Sequence, residues 1–249
     1  MEIAVDSSWV FALILATWTL GTLAGHALPY ASSAAVTLVG AGAAIGVFAS
    51  LVVHEVAHAL CVRACGVPVR RLSLFLFGGI TDSERDFGSP RSEVTAAVAA
   101  PLANAILGGV LLTGAAAWSS AASSDVAHML ALTVRWVGVA NLAIAAVNVV
   151  PAFPLDAGRI LRAALWRSTG DVEQATRWSA WIGEAIGFCV VAAGVGLAFA
   201  SHGDRVALAM WMALSGWFLT SAAAQGYASV VTEKSAVTDA HWHREALES

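Results

Sequence analysis

The chain has 249 residues, of which 58% are apolar and only 12% charged, and a net charge of −4. So apolar a composition excludes an ordinary water-soluble domain, and the absence of any basic cluster excludes a nucleic-acid surface. Cys61, Cys65 and Cys189 are too few and too poorly spaced for a disulfide framework, and they read as free thiols.

Six stretches carry one charge or none over the length that crosses a hydrocarbon core of roughly 30 Å. They are residues 9–26, 34–62, 94–118, 129–150, 178–200 and 206–227. Acidic rather than basic residues precede the first, so no cleavable signal is evident. Arg63, Arg70, Arg71, Arg85 and Arg91 fall between the second and third spans, and Arg159, Arg162, Arg167 and Arg177 between the fourth and fifth. With Lys234 and Arg244 after the last span, one side collects all the basic residues except Arg135 and Arg205. The positive-inside rule makes that side cytosolic and, with six crossings, puts both termini there, as expected of a multi-pass plasma membrane protein.

The second span carries the first chemical signal. His54-Glu55-Val56-Ala57-His58 places two imidazoles at i and i+4, aimed from one helix face at a single point. Glu55 lies about 100° around the helix, able to approach a metal-held water without ligating the ion. Ionisable groups inside an apolar span are costly and functional by default; the bland alternative is polar cross-linking between helices. Cys61 and Cys65 continue the same stripe and read as small packing residues.

The connection 67–90 holds an extended-looking run from Val69 to Phe77, closed by Gly78-Gly79, which predicts a β-hairpin or small sheet. If the 70–77 segment has a free edge, Leu72, Ser73, Leu74 and Phe75 are positioned to bind an extended substrate by β-augmentation. Ser89-Pro90 predicts the N-cap and first residue of the third span's helix. Gly21 with Gly25, and Gly183 with Gly187, read as sites of close helix approach.

A catalytic zinc takes three protein ligands and keeps a fourth position open. The best third candidate is Asp156, just past two prolines, Pro151 and Pro154, that break the fourth span near the surface. Residues 159–167 then predict a short amphipathic interfacial helix. Glu184 is a weaker rival ligand; His241 and His243 lie in a polar tail.

His54 to His58, followed far downstream by Asn148-x-x-Pro151-x-x-Pro154-Leu155-Asp156, resembles the site-2 protease family of intramembrane metalloproteases. Gly78-Gly79, Ser89-Pro90 and Ala100-Pro101-Leu102-x-Asn104 resemble further landmarks of that family, over about residues 45–165. The resemblance implies one zinc per chain held by His54, His58 and Asp156, Glu55 as general base, and Asn104 and Asn148 as substrate or oxyanion contacts, with a purely interhelical role for these two amides as the alternative. It implies cleavage of transmembrane protein or peptide substrates within the bilayer. Where the family commonly has Asp-Gly, this chain has Asp156-Ala157, a change expected to reshape the turn if that position needs positive φ.

The expected fold is an all-α polytopic membrane protein of about six transmembrane helices, with the small sheet between the second and third. Residues 1–227 form the protease domain and 228–249 a polar tail, or the stub of a cytosolic domain. Two other classes compete, a metal-ion transporter and a catalytically silent membrane binding protein. Glu55 beside His54 favours hydrolysis over both.

Overall fold

The computed structural model describes residues 2–67, 69–75, 78–83, 88–201 and 205–248. Leu76, Phe77 and Arg85 lie outside the described residues. In chain order the helices are α1 (Ser8–Ala27), α2 (Ser33–Ala64), α3 (Pro90–Ala121), α4 (Asp125–Asn148), α5 (Asp156–Thr169), α6 (Val172–Ala200) and α7 (Val206–Glu248). Among the described residues, six of them, all but α5, contain a stretch long and apolar enough to cross a membrane. They coincide with the six predicted spans to within a few residues, and the chain is a multi-pass membrane protein. The backbone of α7 continues to Glu248, so the polar tail is helical rather than irregular.

Side-chain placement is that of a protein solvated by lipid. Large apolar groups such as Val10, Ile14, Leu38 and Phe199 point outward, while Ala12, Ala43, Ala44 and Ala96 fill the interior. Between helices in hydrocarbon there is no hydrophobic driving force, so small residues that bring backbones into contact carry the packing. Helix ends are set locally. The hydroxyls of Ser32, Ser89 and Ser124 accept from the backbone N–H three residues on, and Asp171 accepts from Glu173 and Gln174. Pro90 occupies the first turn of α3, where its missing N–H costs nothing.

The chain divides into two compact units, Met1–Val149 and Val150–Ser249. In the first, α1 meets α2 where a Cβ on Gly40 would lie 2.6 Å from the Gly21 nitrogen. Likewise α3 meets α4 where a Cβ on Gly108 would lie 2.9 Å from the Gly138 oxygen, and Gly46 of α2 leaves room for Val137 of α4.

The same unit holds a three-stranded sheet of β1 (Glu2–Val5), β2 (Val69–Phe75) and β3 (Gly78–Ser83), ordered β1-β2-β3. Residues 2–5 of β1 pair in parallel with 71–74 of β2, and β3 pairs antiparallel on the other side. Leu72, Ser73 and Leu74 are therefore not on a free edge, while Phe75 pairs with Gly78 of β3. Leu72, Ser73 and Leu74 have strand partners on both sides, and the outer edges belong to β1 and β3.

In the second unit the loop after α4 is seated by glycines. A Cβ on Gly183 of α6 would collide with the backbone oxygen of Phe153, and one on Gly158 of α5 with the Phe153 nitrogen. Gly226 of α7 faces the Phe153 ring, which packs with Ala180, Ala223 and Tyr227. Ala157 is helical within α5; among the described residues the glycines with positive φ are Gly66 and Gly170. The expected strain at Ala157 therefore does not arise, and the residue that has to be glycine is its neighbour Gly158. α5 covers the predicted 159–167 helix but buries Arg162, whose guanidinium donates to Thr176 Oγ1 at 3.5 Å and stacks 5.7 Å from the Phe153 ring.

Because Gly183 touches backbone that has no rotamer to yield, Gly183→Ala should destabilise the protein by about 1–3 kcal/mol. Gly196→Ala faces open space and should be near neutral. Thermal unfolding in detergent checks the pair; equal midpoints would show the loop seat to be slack.

Candidate metal centre

An α-helix through His54 and His58 stacks the two rings one turn apart, and their centroids lie 4.9 Å apart at 88°. Both residues and Glu55 are buried. Each imidazole uses Nδ1 on α3: His54 Nδ1 lies 2.7 Å from Asn104 Oδ1, and His58 Nδ1 lies 3.0 Å from the Ala96 carbonyl oxygen. Carbonyl oxygens only accept, so both Nδ1 atoms donate and both Nε2 atoms keep their lone pairs. Ligand atoms of the two histidines lie within 4.8 Å of each other, a spacing one small cation can bridge. The donor set fits zinc: two neutral imidazoles, each with its second nitrogen tied to the protein.

Asn104 makes interhelical hydrogen bonds, the alternative to a substrate contact left open by the sequence. It is wholly buried, and its Nδ2 donates to Asn141 Oδ1 at 2.8 Å while its oxygen serves His54. Its oxygen and its nitrogen each have a partner inside the protein, so that it acts as a support for His54. Asn141, itself wholly buried, is a residue that sequence reasoning did not single out, and so is Ser50, whose Oγ accepts from Asn141 Nδ2 at 2.8 Å. Their signal was only that amides and hydroxyls inside apolar spans need partners. Glu93 of α3, also wholly buried, was likewise passed over.

Asn148 is the last residue of α4, half-buried, and its Nδ2 donates to Ile144 O at 3.0 Å. In the second unit Asp156 is the first residue of α5 and is buried. At a helix N-terminus, unsatisfied N–H groups and the helix dipole favour an anion. Cys61 is half-buried and Cys65 exposed, as packing and surface residues would be, and Glu184 is half-buried on α6. The side chains of His241 and His243 lie outside the described residues.

Residues 42–124 match the profile of Peptidase family M50. The chain is 34% identical to Rip3 of Mycobacterium tuberculosis, described as a candidate zinc metalloprotease, over 91% of this chain and 55% of that protein. It is 30% identical to sll0528 of Synechocystis, described in the same way, over 86% of this chain and 54% of that protein. The chain thus spans about half the length of these curated relatives. Among solved structures it is similar to a site-2 protease from Methanocaldococcus jannaschii, with a TM-score of 0.65 at 23% identity, covering 90% of each chain.

Proposed function

We propose that the chain is an intramembrane zinc endopeptidase of peptidase family M50, the site-2 proteases, as its match to the family profile and its similarity to Rip3 support. Its substrates are membrane-anchored proteins, cut within or near a transmembrane segment. The observation that carries this reading is the pair of imidazoles in α2, each with Nδ1 held by α3 so that the neutral ring carries its lone pair on Nε2, beside a buried carboxylate on the same helix. We place residues 1–227 in the protease domain and 228–249 in an appended cytosolic segment.

Asp156 is proposed as the third ligand. A catalytic zinc needs three, and Asp156 is a buried carboxylate at a break between helices, where irregular backbone in a membrane protein is tolerable only if it is covered or lines a cavity. Bound zinc supplies a Lewis acid that polarises the scissile carbonyl and makes a water acidic enough to ionise near neutral pH. Glu55 takes the proton of the attacking water and passes it to the leaving amine, the work of a general base that turns general acid. Asn148 is proposed to hold substrate backbone, a role open to a half-buried amide at a helix end.

A substrate helix must unwind before its carbonyl can be attacked, and its freed backbone then needs partners. The outer edge of β3 is proposed to supply them, adding the substrate as a further strand. A transport role is less favoured, because the polar groups of Ser50, Asn104 and Asn141 are spent on one another rather than lining a path.

Glu55→Gln should retain zinc and lose at least about 10²-fold in cleavage of a transmembrane peptide, whereas Asp156→Ala should lose zinc and activity together. Metal analysis alongside the assay checks both, and full cleavage by zinc-loaded Glu55→Gln would overturn the assignment. For the β3 edge, proline at Ile80 and at Thr81 separates two roles, since successive N–H groups along a strand face opposite sides. One variant should lose cleavage with zinc content intact, while the other damages the sheet; tolerance of both places substrate elsewhere. The cytosolic placement of both termini predicts that single cysteines at Ser83 and Ser168, in a background lacking the native ones, label from the cytosol, and one at Ser120 from outside. The reverse pattern would invert the topology.

A further inference from the structure

Asn141 and Ser50 take no part in the proposed chemistry, yet both are buried in the middle of the helix bundle of the first unit. We propose that they are positioning residues which, through Asn104, hold His54 as the Nδ1–H tautomer and so keep the lone pair on Nε2, the atom that would ligate the metal. The role rests on the metal reading above, but the tautomer itself is a property of the metal-free protein.

The argument runs from backbone carbonyls inward. One end of the Asn141 amide lies 2.8 Å from the Val137 carbonyl oxygen, which can only accept, so that end is the nitrogen. The same nitrogen lies 2.8 Å from Ser50 Oγ, and Ser50 gives its own hydrogen to the Gly46 carbonyl at 2.8 Å, so it too accepts from Asn141. Two independent carbonyls therefore set the amide the same way. Its other end is oxygen, and only the nitrogen of Asn104 can meet that oxygen at 2.8 Å. The oxygen of Asn104 then faces His54 Nδ1 at 2.7 Å, and an amide oxygen there requires the hydrogen on Nδ1. A neutral imidazole has one such hydrogen, so Nε2 keeps its lone pair.

Reversing the chain fails at its far end. Turning Asn104 would put the hydrogen of His54 on Nε2, where it blocks ligation. It would also turn Asn141, which is wholly buried, so that its oxygen faces the Val137 oxygen and two acceptors meet. Asn104 alone could turn either way, because an amide presents a donor and an acceptor of nearly the same shape. Asn141, pinned by Val137 and Ser50, is what removes the choice. His58 is an internal control: its Nδ1 donates directly to the Ala96 carbonyl, so its tautomer owes nothing to this chain.

Asn141→Leu keeps the volume and deletes the pin. In metal-free protein labelled with 15N-histidine, with signals assigned through His54→Gln and His58→Gln, the wild type should show His54 as Nδ1–H. Asn141→Leu should show a mixture at His54 with His58 unchanged. Zinc affinity, measured by competition with a chromophoric chelator, should fall about 10-fold or more, the usual cost of losing a partner behind a ligating histidine. Ser50→Ala leaves Asn141 held only by Val137 and should move both readouts the same way by less; Ser50→Thr, which keeps the hydroxyl, should restore them. If Asn141→Leu does not fold, the Ser50 pair decides. A single Nδ1–H signal and wild-type affinity in Asn141→Leu, or in Ser50→Ala where that variant decides, would overturn the proposal, as would an Nε2–H signal in the wild type. A wild type that binds no zinc but shows the expected tautomers would instead overturn the metal reading and leave the hydrogen-bond chain standing.

Discussion

A histidine that lends one nitrogen to a metal must place the other nitrogen's hydrogen somewhere, and inside a bilayer there is no water to take it. Much of the first unit's interior follows from that constraint. His58 meets it at once, on the Ala96 carbonyl. His54 meets it on Asn104, but an amide brings an N–H₂ group of its own, which needs Asn141, whose own N–H₂ group needs Ser50 and Val137. The sequence of needs ends only on backbone carbonyls, because a carbonyl already bonded within its helix still has a second lone pair to offer. A buried amide left unpaired costs about 1–3 kcal/mol even in soluble proteins, so each member of the chain has reason to be there.

Short amides can reach one another only if the backbones behind them are close. Asn104 and Asn141 stretch little more than a peptide group from their helices, and the glycines lie a turn away from the residues that bond. Gly46 is one turn before Ser50, Gly138 one turn before Asn141 (nearly), and Gly108 one turn after Asn104, and a Cβ at Gly108 or Gly138 would come within 2.9 Å of the facing helix. Packing and polar chemistry are therefore not separate layers of this unit. Small residues let α2, α3 and α4 approach, and the approach makes the hydrogen bonds short.

The six spans were legible because span length and apolarity follow directly from bilayer thickness, and the histidine pair because i, i+4 spacing on a helix fixes direction. The Ser89-Pro90 start of α3 was legible for the same local reason. What failed involved partners distant in sequence. The 70–77 segment was read as carrying a free edge because β1, only four residues long and ahead of the first span, gives no local sign that it pairs with β2. Asn104 was left between substrate and interhelical roles because sequence shows that an intramembrane amide needs a partner without showing which; Asn141, equally polar, was passed over. Ala157 was suspected of strain on the assumption that its position needs positive φ, when the tight contact falls on Gly158, next along the helix.

The proposed ligands are oriented by two different means, and their chemistry gives the reason. An imidazole has two inequivalent nitrogens, so holding the ring in place is not enough; a hydrogen bond must also decide which nitrogen is free, and both histidines have one. A carboxylate has two equivalent oxygens and no tautomer to choose, so for Asp156 the backbone's placement is the first requirement. That is what the second unit provides. Phe153 is gripped by Gly158 and Gly183 against its backbone and by Gly226 against its ring, and α5 begins three residues later with Asp156. A symmetric ligand has only to be brought to its place, whereas an asymmetric one also requires a directional bond that decides which atom is presented.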